Sequence, residues 1–78
     1  MSLEDLVATI ARALVDEPDA VEVQMVDGES APLIELRVSP DDIGKVIGRD
    51  GRTAQSIRTL LAAASNKTGQ RVHLDIVD

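Results

Sequence analysis

Apolar residues recur at helical spacing near the start of the chain: Leu3, Leu6, Val7, Ile10 and Leu14 make one stripe, with Glu4, Asp5 and Arg12 off it. An amphipathic helix is predicted there. Ser2, followed three residues on by Asp5, has the form of a capping box, and Pro18 in the run Asp16-Glu17-Pro18-Asp19 stops the helix because it lacks the N–H the ladder needs. The period then drops to two. Val21, Val23 and Met25 alternate with Glu22 and Gln24, and Ile34, Leu36 and Val38 alternate with Glu35 and Arg37, as in strands with one wet face. Asp27-Gly28 to Pro32 connects them, so the two strands are expected to pair as a hairpin.

Ser39-Pro40-Asp41-Asp42 offers an N-cap, a proline at the first helical position and acids where the helix dipole favours them, which predicts a short second helix to about Ile47. Gly48 and Gly51 interrupt it. Ala54, Ile57, Leu60, Leu61 and Ala64 then define a third helix ending near Asn66 to Gly69, and Val72, Leu74 and Ile76 alternate with Arg71, His73 and Asp75 as a third strand. The order α-β-β-α-α-β predicts one α+β domain over residues 1–78, a three-stranded sheet with helices covering one face.

Composition narrows what such a domain can do. A chain of 78 residues has a marginal core, which oligomerisation would enlarge. There is no cysteine, hence no disulfide and no thiolate metal site. No apolar run reaches the roughly 20 residues that cross a bilayer, and the opening MSLEDLV is acidic where a signal peptide is basic, so a soluble cytoplasmic protein without membrane contact is expected. Without Phe, Tyr or Trp, the stacking platforms of most single-strand binders are missing.

The net charge of -6 hides an asymmetry. Residues 1–42 carry net -9, whereas residues 43–74 carry net +5, from Lys45, Arg49, Arg52, Arg58, Lys67 and Arg71 against Asp50. With a screening length of about 8 Å at physiological salt, a ligand at the basic region feels mainly that region.

The basic region opens with Ile43-Gly44-Lys45-Val46-Ile47-Gly48-Arg49-Asp50-Gly51-Arg52-Thr53. Its glycine spacing fits neither the P-loop, which needs G-x-x-x-x-G-K-[ST], nor the G-x-G-x-x-G dinucleotide fingerprint between a strand and a helix. The pattern V-I-G-x-x-G between two helices resembles the KH domain, whose GXXG loop clamps the backbone of single-stranded nucleic acid. The resemblance covers the whole chain, because the element order is that of type II KH domains. Size, the IGKVIGRDGRT segment and the I-R-T-L-L continuation are similar to the small bacterial single-KH RNA-binding proteins of the KhpA family.

That resemblance implies single-stranded RNA as ligand, a post-transcriptional regulatory or RNA-chaperone role, self-association, and pairing with a larger KhpB-type KH protein. It implies no cofactor. The residues support it physically. Glycines at 48 and 51 let a sugar-phosphate chain lie against backbone, and the N-terminus of the third helix, starting near Arg52, points its N–H groups the same way. Lys45, Arg49, Arg52 and Arg58 supply positive charge, Ile43, Val46, Ile47 and Ile57 are the candidates for an aliphatic groove under the bases, and Gly44 in the same segment is counted among the RNA-binding residues. Asp50 departs from the pattern, since KH loops are commonly basic or neutral there. It is expected either to repel phosphate or to cap the third helix.

Leu60 and Ala63 lie beside the stripe Ala54-Ile57-Leu61-Ala64, so a dimer interface is expected at Leu60, Leu61, Ala63 and Ala64. A dimerising protein-interaction module with a vestigial loop is the alternative function. No catalysis and no metal are expected. His73 has only Asp75 near it, and Asp41-Asp42 reads as a complement to the helix dipole.

Overall fold

The structure, a computed structural model, describes residues 1–77 and every side chain within them except that of Thr68. Helix α1 (Leu3–Leu14) starts with the expected capping box: the Asp5 N–H donates to Ser2 Oγ at 3.1 Å, and the Ser2 N–H donates to Asp5 Oδ2 at 3.3 Å. Its buried face is Val7, Ala8 and Ala11, with Leu3 and Ile10 at the margin, while Leu14 is exposed. The expected stripe is therefore rotated. Ala8 and Ala11 are buried, whereas Leu3 and Leu6 are only half-buried.

A 3-10 turn at Pro18–Ala20 leads into β1 (Glu22–Val26), which pairs antiparallel with β2 (Leu33–Arg37) from Glu22 opposite Arg37 to Val26 opposite Leu33. This is the expected hairpin. Strand β3 (His73–Val77) then joins the other edge of β2 in parallel, from Leu33 opposite His73 to Arg37 opposite Val77, giving the order β1-β2-β3. A parallel neighbour requires a long crossover, and the two remaining helices provide it.

Alternation places Val21, Ile34, Leu36, Val72 and Leu74 in the core, with Val23, Met25 and Ile76 packed at its edge. Glu22, Gln24, Arg37, His73 and Asp75 stay exposed on the opposite face. The helices thus cover one face of the sheet.

In the crossover, Pro40–Asp42 form a 3-10 turn before α2 (Ile43–Ile47), so the second helix starts later than expected, and Ser39 makes no side-chain cap. After the glycine loop, α3 (Arg52–Thr68) ends at Gly69, whose φ of 75° is the left-handed C-cap favoured by glycine. Its buried stripe is Ala54, Ile57, Leu61 and Ser65, with Ala64 only half-buried. Ser65 Oγ donates to the Leu61 carbonyl at 2.7 Å, which satisfies a hydroxyl inside the core. Hydropathy reading passes over such a serine.

The interface expected on α3 needs the same correction. Leu61 is 2% exposed and belongs to the chain's own core, whereas Leu60 is 53% exposed and Ala63 is exposed beside it. Leu61→Ala should therefore cost about 2–5 kcal/mol in urea unfolding, as buried leucines do. Leu60→Ala should stay within about 0.5 kcal/mol. Equal losses at the two positions would contradict this assignment.

Candidate nucleic-acid interface

The chain passes from α2 to α3 within four residues, and the glycines make that possible for different reasons. The Gly48 N–H donates to the Gly44 carbonyl at 2.9 Å, closing α2, and Gly48 itself has φ 77° and ψ 173°, a region that side chains all but forbid. A Cβ there would lie 2.7 Å from Thr53 Cβ and 2.9 Å from the Thr53 nitrogen. The Gly51 N–H donates to the Gly48 carbonyl at 3.1 Å, and Gly51 adopts φ 74°, ψ 12° with nothing within 4 Å of where a Cβ would stand. Gly51 is needed for its backbone, Gly48 for backbone and space together.

Asp50 lies between them at φ 58°, ψ 23°, a left-handed conformation that Asp tolerates better than most residues. It does not cap α3: Gly51 occupies the N-cap, and no side chain bonds there. The positive end of α3 is left facing outward from the loop.

Gly44 is different again. It is exposed within α2, at an ordinary φ, and nothing lies within 4 Å of where its Cβ would be. The fold alone does not require glycine at this position, and in a helix interior glycine costs about 1 kcal/mol relative to alanine. A bare stretch of helix backbone beside the loop is the result.

Arg49, Arg52 and Arg58 are exposed, and among the described residues they form no ion pair. Lys45 is committed elsewhere. Its Nζ is 3.3 Å from Asp16 Oδ2 and 3.6 Å from Asp42 Oδ1. The hydrogen bond to Asp16 and that carboxylate's charge raise the Lys45 pKa above its ordinary value, with Asp42 adding to the effect and burial opposing it.

Asp42 is 1% exposed, and its Oδ2 accepts the Glu17 N–H at 3.1 Å. Asp42 stands at the N-cap of α2, in keeping with the helix-dipole reading, and is in addition a buried acceptor, while Asp41 remains exposed. Nothing local distinguishes the two neighbouring acids; the partner of Asp42 is 25 residues away.

Of the aliphatic candidates, Ile43 and Ile47 are half-buried on α2 and remain at the surface. Val46 is fully buried and Ile57 is 3% exposed, both within the core cluster, so their side chains underlie the interface without lining it. Period alone cannot say which side of a short helix meets the core.

A further feature lies along α3. An open groove of about 640 Å³ runs between this helix and the segment entering β3, with Arg58, Ala62, Asn66, Gln70, Arg71 and His73 among its lining residues. Arg58 is six residues into α3, about 9 Å from Arg52 at 1.5 Å per residue, so loop and groove share one helix as their wall. Sequence reasoning did not bring Asn66, Gln70 and Arg71 together. Amides and a basic residue at a helix end were the available signal, but their meeting across the groove is tertiary. Among the described residues no group of three or more potential ligands could hold a metal ion, and no helix is long and apolar enough to cross a membrane.

Comparison with known proteins agrees over nearly the full length. A profile of the family described as KhpA/KhpB, KH domain matches residues 4–76. The chain is 56% identical over 73 residues to RNA-binding protein KhpA of Caldanaerobacter subterraneus subsp. tengcongensis, covering 94% of this chain and 97% of the relative. It is 49% identical over 74 residues to RNA-binding protein KhpA of Borreliella burgdorferi, covering 95% and 90% respectively. Among solved structures, Era from Aquifex aeolicus matches with a TM-score of 0.68 at 19% identity, over 95% of this chain and 29% of Era. Era in complex with MgGDPNP and nucleotides 1506–1542 of 16S ribosomal RNA matches with the same TM-score and identity. At that identity the likeness is one of fold.

The glycines separate in a stability experiment. Gly48→Ala should lower the unfolding free energy measured in urea by more than about 1 kcal/mol, since it adds both a backbone conflict and a collision with Thr53. Gly44→Ala should raise stability by up to about 1 kcal/mol through helix propensity. A destabilised Gly44→Ala would show that the fold does require this glycine.

Proposed function

The chain belongs to the KhpA/KhpB KH-domain family, and on that premise we propose that it is an RNA-binding protein holding the backbone of single-stranded RNA in the Gly48–Gly51 loop. It has the character of a binding module, not an enzyme. The observation that carries the proposal is the loop itself. Two glycines at positive φ bring backbone to the surface at the N-terminus of α3, beside Arg49, Arg52 and Arg58, which have no carboxylate partner among the described residues.

Phosphates would meet the loop backbone and the arginines, and bases would lie over Ile43, Ile47 and the bare backbone at Gly44 toward the groove along α3. Asn66, Gln70 and Arg71 would offer hydrogen bonds to base edges there. Asp50 opposes phosphate in this arrangement, which favours modest affinity. The family's RNA-binding relatives support the ligand class. We further infer a cytoplasmic post-transcriptional regulator or RNA chaperone, working without a cofactor.

Self-association is the second part of the reading, and Leu60 favours it. A leucine 53% exposed beside Ala63 on α3 offers a small apolar face that a second copy, or a larger KhpB-type KH protein, could cover. If the loop were vestigial, this face would be the main output of the molecule.

Arg49→Asp should sharply weaken binding to single-stranded RNA at moderate salt while leaving the melting temperature nearly unchanged. For the wild type, log affinity against log salt should have a slope of about -2, from roughly -0.7 for each of three arginine-phosphate contacts. A slope near zero, or unchanged affinity in the variant, argues for the vestigial loop. Separately, Leu60→Asp should shift sedimentation toward monomer without unfolding the chain. A wild type that sediments as a monomer well above micromolar concentration rules out the self-association.

A further inference from the structure

We infer that Lys45, although it lies in the segment flanking the loop, is a positioning residue: it neutralises the buried Asp42 carboxylate that ties the start of α2 to the end of α1. The inference rests on the RNA-clamp reading for its functional consequence, but its structural part stands without it.

Three observations meet at this corner. Asp42 is 1% exposed, so its charge is removed from water and must be compensated by what the protein supplies. One carboxylate oxygen accepts the Glu17 N–H, just beyond the end of α1. The other faces Lys45 at 3.6 Å, and Lys45 is held at 3.3 Å by Asp16, adjacent to Glu17 in the chain. The side-chain hydrogen bonds of Ser2, Asp5, Ser56 and Thr59, by contrast, span only three or four residues. The Asp42 bond ties together segments 25 residues apart.

The corner is close enough to the loop to set its position. Asp42 immediately precedes α2, a helix of five residues that ends at Gly48. Such a helix has little room to absorb a displacement at its start, and Val46 anchors it in the core one residue after Lys45. Removing the ammonium would leave the carboxylate with a single neutral donor, and the corner would have to open to water to solvate it. The glycine loop would then move with α2. To touch a phosphate, Lys45 would have to leave both carboxylates, a cost that the unpaired Arg49, Arg52 and Arg58 do not bear.

A double-mutant cycle on the full chain tests this. Wild type, Lys45→Met, Asp42→Asn and the double variant are compared by thermal unfolding and by titration of a short, labelled, mixed-sequence single-stranded RNA at several salt concentrations. Asparagine still has a carbonyl oxygen for the Glu17 N–H but needs no countercharge. Lys45→Met is expected to lower the melting temperature and weaken RNA binding several-fold, with the salt slope unchanged. Adding Asp42→Asn should recover most of both losses. If Lys45 instead contacts phosphate, Lys45→Met will make the slope shallower by about 0.7, Asp42→Asn will not rescue binding, and the inference is overturned.

An unchanged melting temperature in Lys45→Met also overturns it. Should Lys45→Met fail to fold, a folded double variant supports the inference and an unfolded one refutes it. Arg52→Gln serves as the independent control. If its salt slope matches wild type, the clamp reading fails, while the stability cycle at Asp42 and Lys45 still decides whether the corner is built as described.

Discussion

A three-stranded sheet has two faces, and a chain of 78 residues without an aromatic side chain has enough apolar volume to cover only one of them. The solution is a single layer of helices over Ile34, Leu36 and Leu74, in which α3 contributes Ile57 and Leu61 and α1 contributes Val7 and Ala11. With side chains this small, elements must approach closely to exclude water, and buried alanines occur on both helices, Ala8 and Ala11 on α1 and Ala54 on α3. This layer holds α3 against the sheet through Ile57 and Leu61. The loop then falls at one end of α3 and the groove along its side, so the surface available for a ligand is a by-product of how the core is closed.

Electrostatics is arranged around the same layer. The acidic groups of the first half of the chain lie largely in α1, the turns and the open sheet face, while the basic groups gather along the crossover. The protein therefore combines an overall charge of -6 with a basic edge, an arrangement that restricts attraction of polyanions to one region. Not all of that positive charge is available to a ligand. Lys45 is engaged by Asp16 and Asp42, and beside the loop the free charge among the described residues is that of Arg49, Arg52 and Arg58, whose planar fork suits phosphate better than an ammonium does.

The crossover illustrates how a functional loop can be held by features of quite different strength. Gly48 is required by sterics, Gly51 by its left-handed φ, and Gly44 by neither within the chain itself. On the far side of α2, one buried carboxylate joins segments distant in sequence. Two neighbouring acids, Asp41 and Asp42, thus have unrelated environments, one in water and one in the interior.

Period and punctuation in the sequence determined the elements: the capping box at Ser2, the hairpin alternation, the breaks at Gly48 and Gly51 and the C-cap at Gly69 are all local signals, because backbone geometry and hydrogen-bond patterns are set by near neighbours. The glycine spacing and flanking arginines made the loop legible for the same reason. Tertiary structure alone decided that β3 joins β2 in parallel, that Val46 and Ile57 belong to the core beneath the expected groove, and that Asn66, Gln70 and Arg71 line one groove. It also gave Asp42, at the N-cap of α2, a buried setting and a distant backbone donor, and took Lys45 out of the free charge. These outcomes depend on which surfaces lie opposite one another after packing, and burial and long-range partners are properties of that arrangement, absent from any window of neighbouring residues.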